Sequence, residues 1–318
     1  MPLVDPSDRV IVRVPGKINL ELVVGPRRED GYHELATVFH AVGVYDYVTV
    51  APAADWSVRV TGPWADRVPT DGDNLAMRAA RTLAQASGDS SPVAVTIDKR
   101  IPVAGGMAGG SADAAAALVA CDELWGLVLP RDDLEGIAAS LGSDVPFLLH
   151  GGTAIGSGRG DELAPVLARG ELQWVLWVSE GQGLSAGAVY AECDRLRERY
   201  ALTPAQPEPS EDMLVALRTM DTAGVGAALR NDLQAAAFSL MPELEEVVQA
   251  GEEMGARGAV VSGSGPTVAF LVGSRAEAID LSVGLVTRGP RGRVLRATGP
   301  VPGAQVVGHV PPAGGGVG

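Results

Sequence analysis

Apolar and polar residues alternate with a period of two over 9–14, 18–24, 44–50, 57–61 and 93–98, the pattern of strands with one buried face. Over 74–87, 111–126 and 132–141 the apolar positions recur instead at helical spacing. Strands come first and helices follow, which predicts an α+β layer with its sheet covered on one side. A loop with glycine at 105, 106, 109 and 110 joins the 93–98 strand to the alanine-rich helix.

The second half opens on a strand at 174–178, runs through a helix at 186–199 and crosses a proline-rich connector at 203–209. More helices follow. From 242 the order is helix, strand at 258–262, a tight SGSGPT turn, strand at 267–272, helix at 275–287 and strand at 293–297. Strand, helix, two strands, helix and strand in that order form a ferredoxin-like unit. The chain therefore divides into an N-terminal α/β layer domain over 1–160, which carries the glycine loop, and a C-terminal ferredoxin-like domain over 161–297. Residues 298–318, rich in Gly and Pro, read as a disordered tail.

Composition narrows the function. With 318 residues, 46% of them hydrophobic, there is ample material for a core, but aromatics make up only 4%. Helices must pack through Ala and Gly, and each exposed aromatic becomes a binding candidate. A net charge of −14 repels nucleic acid and anionic lipid, and no arginine run overrides it. The start, MPLVDPSDRV, lacks a basic and apolar leader, and no apolar run reaches about 18 residues, so a cytoplasmic protein without membrane or nucleic-acid partners is expected. Cys121 and Cys193 fall in predicted helices without metal-type spacing, as buried free thiols would.

The candidate chemistry starts at the glycine loop. Bare glycine amides followed by a helix N-terminus make an anion cradle, although the same stretch could simply connect strand to helix. It is neither a Walker A loop, since it contains no Lys, nor a GxGxxG turn. Lysine usage adds weight: of 25 basic residues only Lys17 and Lys99 are lysine. A compact ammonium with a tunable pKa is not interchangeable with a guanidinium, which points both lysines toward chemistry. Asp144, in LGSDVPFLLHGG, is either a helix N-cap or a general base. A Lys17–Asp144 pair would keep the carboxylate ionised and offset charge as a hydroxyl is deprotonated. Asp30-Gly31 makes a turn, and Tyr32 and His33 after it suit a planar ligand such as a nucleobase. Residues 183–187 match a GxSxG nucleophile elbow, but the only later histidine, His309, lies in the apparent tail. The SGSGPT turn at 262–267 could be a plain turn or a second anion nest facing the first.

Taken in order, PGKINLEL, DGYHEL, PVAGGMAGGSADAA, GSDVPF and SGSGPT resemble the GHMP kinases, the family of galactokinase, homoserine kinase and mevalonate kinase. PGKINL with DGYHEL, and RNDLQAAA at 230–237, are similar to the branch that phosphorylates a cytidyl sugar alcohol in isoprenoid precursor biosynthesis. The resemblance implies a two-domain α+β kinase with a cleft, acting with ATP and Mg²⁺ on the 2-hydroxyl of that small molecule, as a monomer or weak homodimer. It makes Lys17 and Asp144 the catalytic pair and Asn19 the polar residue beside them. Tyr32 and His33 would recognise cytosine, by stacking and hydrogen bonds respectively, and Tyr190 would be a second stacking aromatic. Pro102, Val103, Ala104, Gly105, Gly106, Met107, Ala108, Gly109, Gly110, Ser111 and Ala112 would form the ATP phosphate loop, with Asn74 and Lys99 touching the nucleotide. The family loop is richer in Gly than this one. Ala104, Ala108 and Ala112 are therefore expected in ordinary backbone conformations, with Ser111 as the phosphate or Mg²⁺ contact. The metal ligands are left unassigned.

Overall fold

A computed structural model describes residues 9–29, 31–88, 91–168, 170–181 and 183–310. Strands β1 (Arg9–Arg27) and β2 (His33–Pro52) form a long antiparallel pair. The segments expected as separate strands at 9–14 and 18–24 are one strand, because the register shifts at Pro15/Gly16 and again at Asn19/Glu21 instead of breaking. Such irregularities let a strand bend past residues that do not fit the ladder.

Next come β3 (Ser57–Thr61), α1 (Leu75–Ser87), β4 (Val93–Asp98), α2 (Gly109–Trp125), α3 (Arg131–Leu141), the short α4 (Val145–His150), β5 (Thr153–Ser157) and β6 (Glu162–Pro165). Helix α2 is buried on almost every side, at Ala112, Ala114, Ala115, Ala116, Leu118 and Cys121 among others. A helix surrounded by protein needs small side chains all round, which is why it carries no apolar stripe.

The second half consists of β7 (Leu172–Val178), α5 (Ala186–Arg199), α6 (Glu211–Thr219), α7 (Thr222–Ala228), β8 (Arg230–Asn231), α8 (Gln234–Leu240), α9 (Glu243–Glu253), β9 (Gly258–Val261), β10 (Val268–Val272), α10 (Arg275–Arg288), β11 (Arg293–Gly299) and β12 (Gln305–Val310). Its antiparallel sheet runs β11-β7-β10-β9, the ferredoxin-like order. Strand β7 alternates strictly: Trp174 and Leu176 join the core of the N-terminal layer, while Val175 and Trp177 pack with Leu244, Val247 and Leu281. One face of the smaller sheet thus shares a core with the N-terminal layer, while its other face has a core of its own.

The segment read as a tail needs correction. Residues 305–310 form β12, which pairs antiparallel with β1 from Arg9 to Arg13 and completes a sheet of order β12-β1-β2-β4-β3. Before it, the Val301 N–H bonds to the Ala41 carbonyl and Gly151 bridges to Pro302. A Gly- and Pro-rich composition hides this because the ordering comes from a distant partner: the open edge of β1 supplies unpaired backbone groups. Residues 311–318 and Asp30 lie outside the described residues. Among those described, no helix is long and apolar enough to cross a membrane.

Candidate active site

Lys17 and Asn19 stand two apart on β1 and so share a face. The Lys17 ammonium donates to Asn19 Oδ1 at 2.7 Å. Asn19 Nδ2 donates in turn to Thr37 Oγ1 at 2.7 Å, and that hydroxyl donates to the Glu21 carbonyl at 2.8 Å. Asp144 holds the position preceding α4, yet its side chain makes no cap bond; its Oδ2 lies 3.9 Å from Lys17 Nζ. Burial pulls the Lys17 pKa below the ordinary 10.5, with Asp144 pulling the other way. The pair that the sequence could not join is joined.

The glycine loop closes over this pair. Lys17 N–H donates to the Met107 carbonyl at 3.2 Å, which ties β1 to the loop, and α2 then begins with no side-chain cap. An uncapped helix start leaves its amides for an anion. Ala112 is helical as expected, but Ala104 and Ala108 are not ordinary: both are left-handed, at φ 53° and 55°. The loop is tightly packed: a Cβ at Gly183 would sit 2.5 Å from Ala104 Cβ and one at Gly106 would sit 2.0 Å from the Ser262 carbonyl oxygen. A left-handed alanine costs roughly 1–2 kcal/mol.

The SGSGPT turn does face the first loop. Ser262 Oγ donates to the Gly106 carbonyl at 2.9 Å, and Thr267 N–H to the Gly105 carbonyl at 3.2 Å. Asn231, in the RNDLQ segment, holds the turn by donating to the Val261 and Gly263 carbonyls, each at 2.7 Å. Gly263 passes so close to the catalytic candidates that a Cβ there would lie 3.3 Å from both Lys17 Nζ and Asn19 Oδ1. Together these walls enclose a cavity of about 470 Å³ lined by Lys17, Asn19, Asp144, Ser111, Ser143, Gly105, Gly106 and Gly263. Pro102, Ala104, Ala108, Gly109 and Gly110 line it as well, whereas Val103, Met107 and Ala112 do not.

Two expected nucleotide contacts turn inward instead. Lys99 is fully buried, its ammonium 2.6 Å from both Asp46 Oδ2 and Asp113 Oδ2 and 2.7 Å from the Gly109 carbonyl. Burial lowers its pKa, but the carboxylates of Asp113 and Asp46 overcome that and hold it above 10.5. Asp46 Oδ1 also accepts from the Arg100 and Ile101 amides. With three N–H donors and three protein acceptors, the ammonium buttresses the glycine loop from behind. Asn74 likewise caps α1, accepting from the Ala76 and Met77 amides and donating to the Pro69 carbonyl. Neither residue lines the cavity.

A second cavity, of about 690 Å³, opens beside the first and is lined by Tyr32, His33, Tyr190 and Asp194 among others. His33 Nε2 meets Asp194 Oδ1 at 2.8 Å, and its ring stacks on Tyr190 with centroids 5.2 Å apart. Tyr32 stands at the rim, 61% exposed, so Tyr190 is the aromatic surface paired with the imidazole. Burial, reinforced by the Asp144 charge, pushes the Tyr190 phenol well above its ordinary pKa and keeps it neutral. Asp194 on α5 was missed in the sequence, where nothing local marks it as a partner of His33.

No serine hydrolase is assembled at Ser185. It precedes α5, while His309 lies in β12 with its ring 3.5 Å from Glu123. Gly183 is needed for the close passage beside Ala104. Cys121 and Cys193 are buried free thiols.

The profile for the GHMP kinases N terminal domain matches residues 74–152, and that for GHMP kinases C terminal matches 213–285. A 4-diphosphocytidyl-2-C-methyl-D-erythritol kinase from Leifsonia xyli is 53% identical over 306 residues, covering 94% of this chain and 99% of that protein. The protein of the same name from Mycobacterium tuberculosis is 55% identical over 302 residues, covering 95% of this chain and 94% of its own length. Among solved structures, a 4-(cytidine 5'-diphospho)-2C-methyl-D-erythritol kinase superposes with a TM-score of 0.74 at 33% identity, over 91% of this chain and 98% of that one. A solved structure of L. major mevalonate kinase shares the fold, with a TM-score of 0.70 at 17% identity over 93% of this chain and 98% of its own.

Proposed function

The chain belongs to the 4-diphosphocytidyl-2-C-methyl-D-erythritol kinases of the GHMP kinase family, and from that premise we propose how its own residues divide the work. The enzyme phosphorylates that cytidyl alcohol with ATP as donor, a step in isoprenoid precursor synthesis. In our reading the acceptor's 2-hydroxyl lies against Asp144, which takes its proton. Lys17 stands beside Asp144, offsets the negative charge developing on the hydroxyl oxygen, and is itself aimed by Asn19. The amides of the glycine loop and the uncapped start of α2 hold the donor's phosphates, so catalysis rests on positioning and charge. Cytosine enters the second cavity, where Tyr190 offers a face, His33 a ring nitrogen, and Tyr32 a cover at the rim.

Mg²⁺ takes oxygen ligands, usually one or two from protein with the remainder from phosphate and water. Ser111 and Asp144 both line the 470 Å³ cavity and offer a hydroxyl and a carboxylate, a donor set that fits such an ion. Bound there, it would neutralise charge on the phosphates. Free buried thiols and a requirement for ATP support a cytoplasmic setting.

The observation that carries this reading is the Lys17–Asp144 pair at 3.9 Å on the wall of the phosphate cavity. Its test is an ADP-release assay with ATP, Mg²⁺ and the cytidyl alcohol, run beside mevalonate and homoserine. Asp144→Asn should lower kcat by roughly 10²–10⁴, the share a general base supplies. Retention of a tenth or more of the wild-type rate would remove Asp144 from that role.

A further inference from the structure

The two cavities meet along a seam. Five residues line both: Leu35, Ser143, Arg159, Ala186 and Tyr190. If the base occupies the larger space and the reacting hydroxyl lies at Asp144 in the smaller, the diphosphate joining them must cross that seam. This step rests on the function proposed above. Lys17 lines the smaller cavity beside Asp144 and Arg27 the larger beside Asp194, but neither of these cations reaches both spaces. Arg159 is the only cationic residue of the five.

Its presentation is specific. Arg159 sits at the tip of the β5–β6 hairpin between Gly158 and Gly160, both left-handed at φ 66° and 96°. The Gly158 carbonyl accepts from the Leu35 N–H at 2.8 Å, which fixes the hairpin to the strand carrying His33 two residues earlier. At the base of the turn Gly160 N–H bonds back to the Ser157 carbonyl at 2.8 Å. A Cβ at Gly156 would lie 2.7 Å from the Phe39 ring, so the hairpin is pressed onto the cleft wall. Asp161 Oδ2 accepts from Arg159 Nη2 at 2.7 Å and orients the guanidinium. A planar guanidinium fork is suited to two phosphoryl oxygens at once.

We propose that Arg159 binds the acceptor's diphosphate and so helps select a nucleoside-diphosphate-linked alcohol over a simple one. It is a substrate-binding residue for the acceptor and plays no part in holding ATP.

Arg159→Gln tests this, with the inhibition constants of CDP and of cytidine measured against the acceptor, and KM measured for both substrates. Losing a charge-assisted bond to phosphate should weaken CDP about 10- to 100-fold and raise acceptor KM by a similar factor. Cytidine inhibition and ATP KM should stay within about twofold of wild type, with an unchanged melting temperature. Equal weakening of CDP and cytidine would make Arg159 a mere support of the hairpin and overturn the proposal, as would a rise in ATP KM alone or no change in CDP. If wild-type enzyme is inhibited by neither CDP nor cytidine yet phosphorylates another alcohol, the cytidyl reading itself falls, and the proposal with it. Wild-type inhibition by both compounds, coupled with an indifferent variant, removes only Arg159.

Discussion

The donor and acceptor sides of the cleft are built from different materials. The donor side is mostly backbone: a glycine loop, an uncapped helix start and a second turn clamped against the first by Ser262, Thr267 and Asn231. Behind it stands a buried ion cluster, Lys99 between Asp46 and Asp113. The acceptor side is mostly side chains, supplied by the start of β2, by α5 and by the β5–β6 hairpin, and it opens to solvent at Tyr32. Phosphate is the same in every nucleotide and can be met by amides that any sequence provides. A particular base and a particular alcohol demand particular side chains.

The sharpest way to break this contrast is to remove the support behind the backbone side. Lys99→Met leaves two buried carboxylates facing each other without a cation, which should cost about 3–5 kcal/mol of stability and raise KM for ATP in whatever folds. Denaturant unfolding and ATP titration check both effects, and a variant as stable as wild type would reduce the cluster to ornament. His33→Ala should act the other way round. Removing one hydrogen bond and one ring contact raises acceptor KM about 10- to 100-fold while leaving ATP KM and melting temperature nearly unchanged.

Lys17 stands where the two sides meet, and pH separates its two effects. Because burial lowers its pKa below 10.5, the ammonium that the proposed mechanism requires is lost at a lower pH than for an ordinary lysine. Between that lowered value and 10.5 the unfolded chain binds more protons than the folded one, so Lys17's penalty on stability shrinks as pH rises. The expected result is an alkaline limb in kcat below 10.5, together with a stability advantage of Lys17→Met that narrows over the same range. A kcat that stays flat through that range would contradict both. The smallest change expected is in the donor loop, where Ala108→Gly should add about 1 kcal/mol by relieving a left-handed alanine without altering acceptor KM. Thermal unfolding beside steady-state kinetics would detect it.

Legibility in the sequence followed the same division. The glycine loop could be read directly because its pattern is local: glycines, then a helix, with Ser111 at the junction. The alternation over 93–98 and the helical spacing over 186–199 were equally plain, and α5 covers that range from end to end. Sequence spacing could not show that Lys17 and Asp144 would meet, nor that Asp194 would reach His33, because each pair is joined only by tertiary packing. The resemblance supplied the first pair and missed the second. Lys99 and Asn74 were read as ligand contacts because polarity in a sequence carries no direction; burial turned the one into a buttress and the other into a cap. Ala104 and Ala108 escaped because a left-handed backbone is normally announced by glycine, whereas here it falls on alanine.

The pairing of β12 with β1 sets an order of events on the ribosome. The first described strand to be synthesised has its outer edge closed by the last, so the larger sheet stays incomplete until residues 305–310 have emerged. Meanwhile the smaller sheet, whose strands all precede that segment, can already pair within itself. The half that holds the phosphate loop begins first and finishes last, and while it waits it presents the kind of bare strand edge that invites other chains to pair.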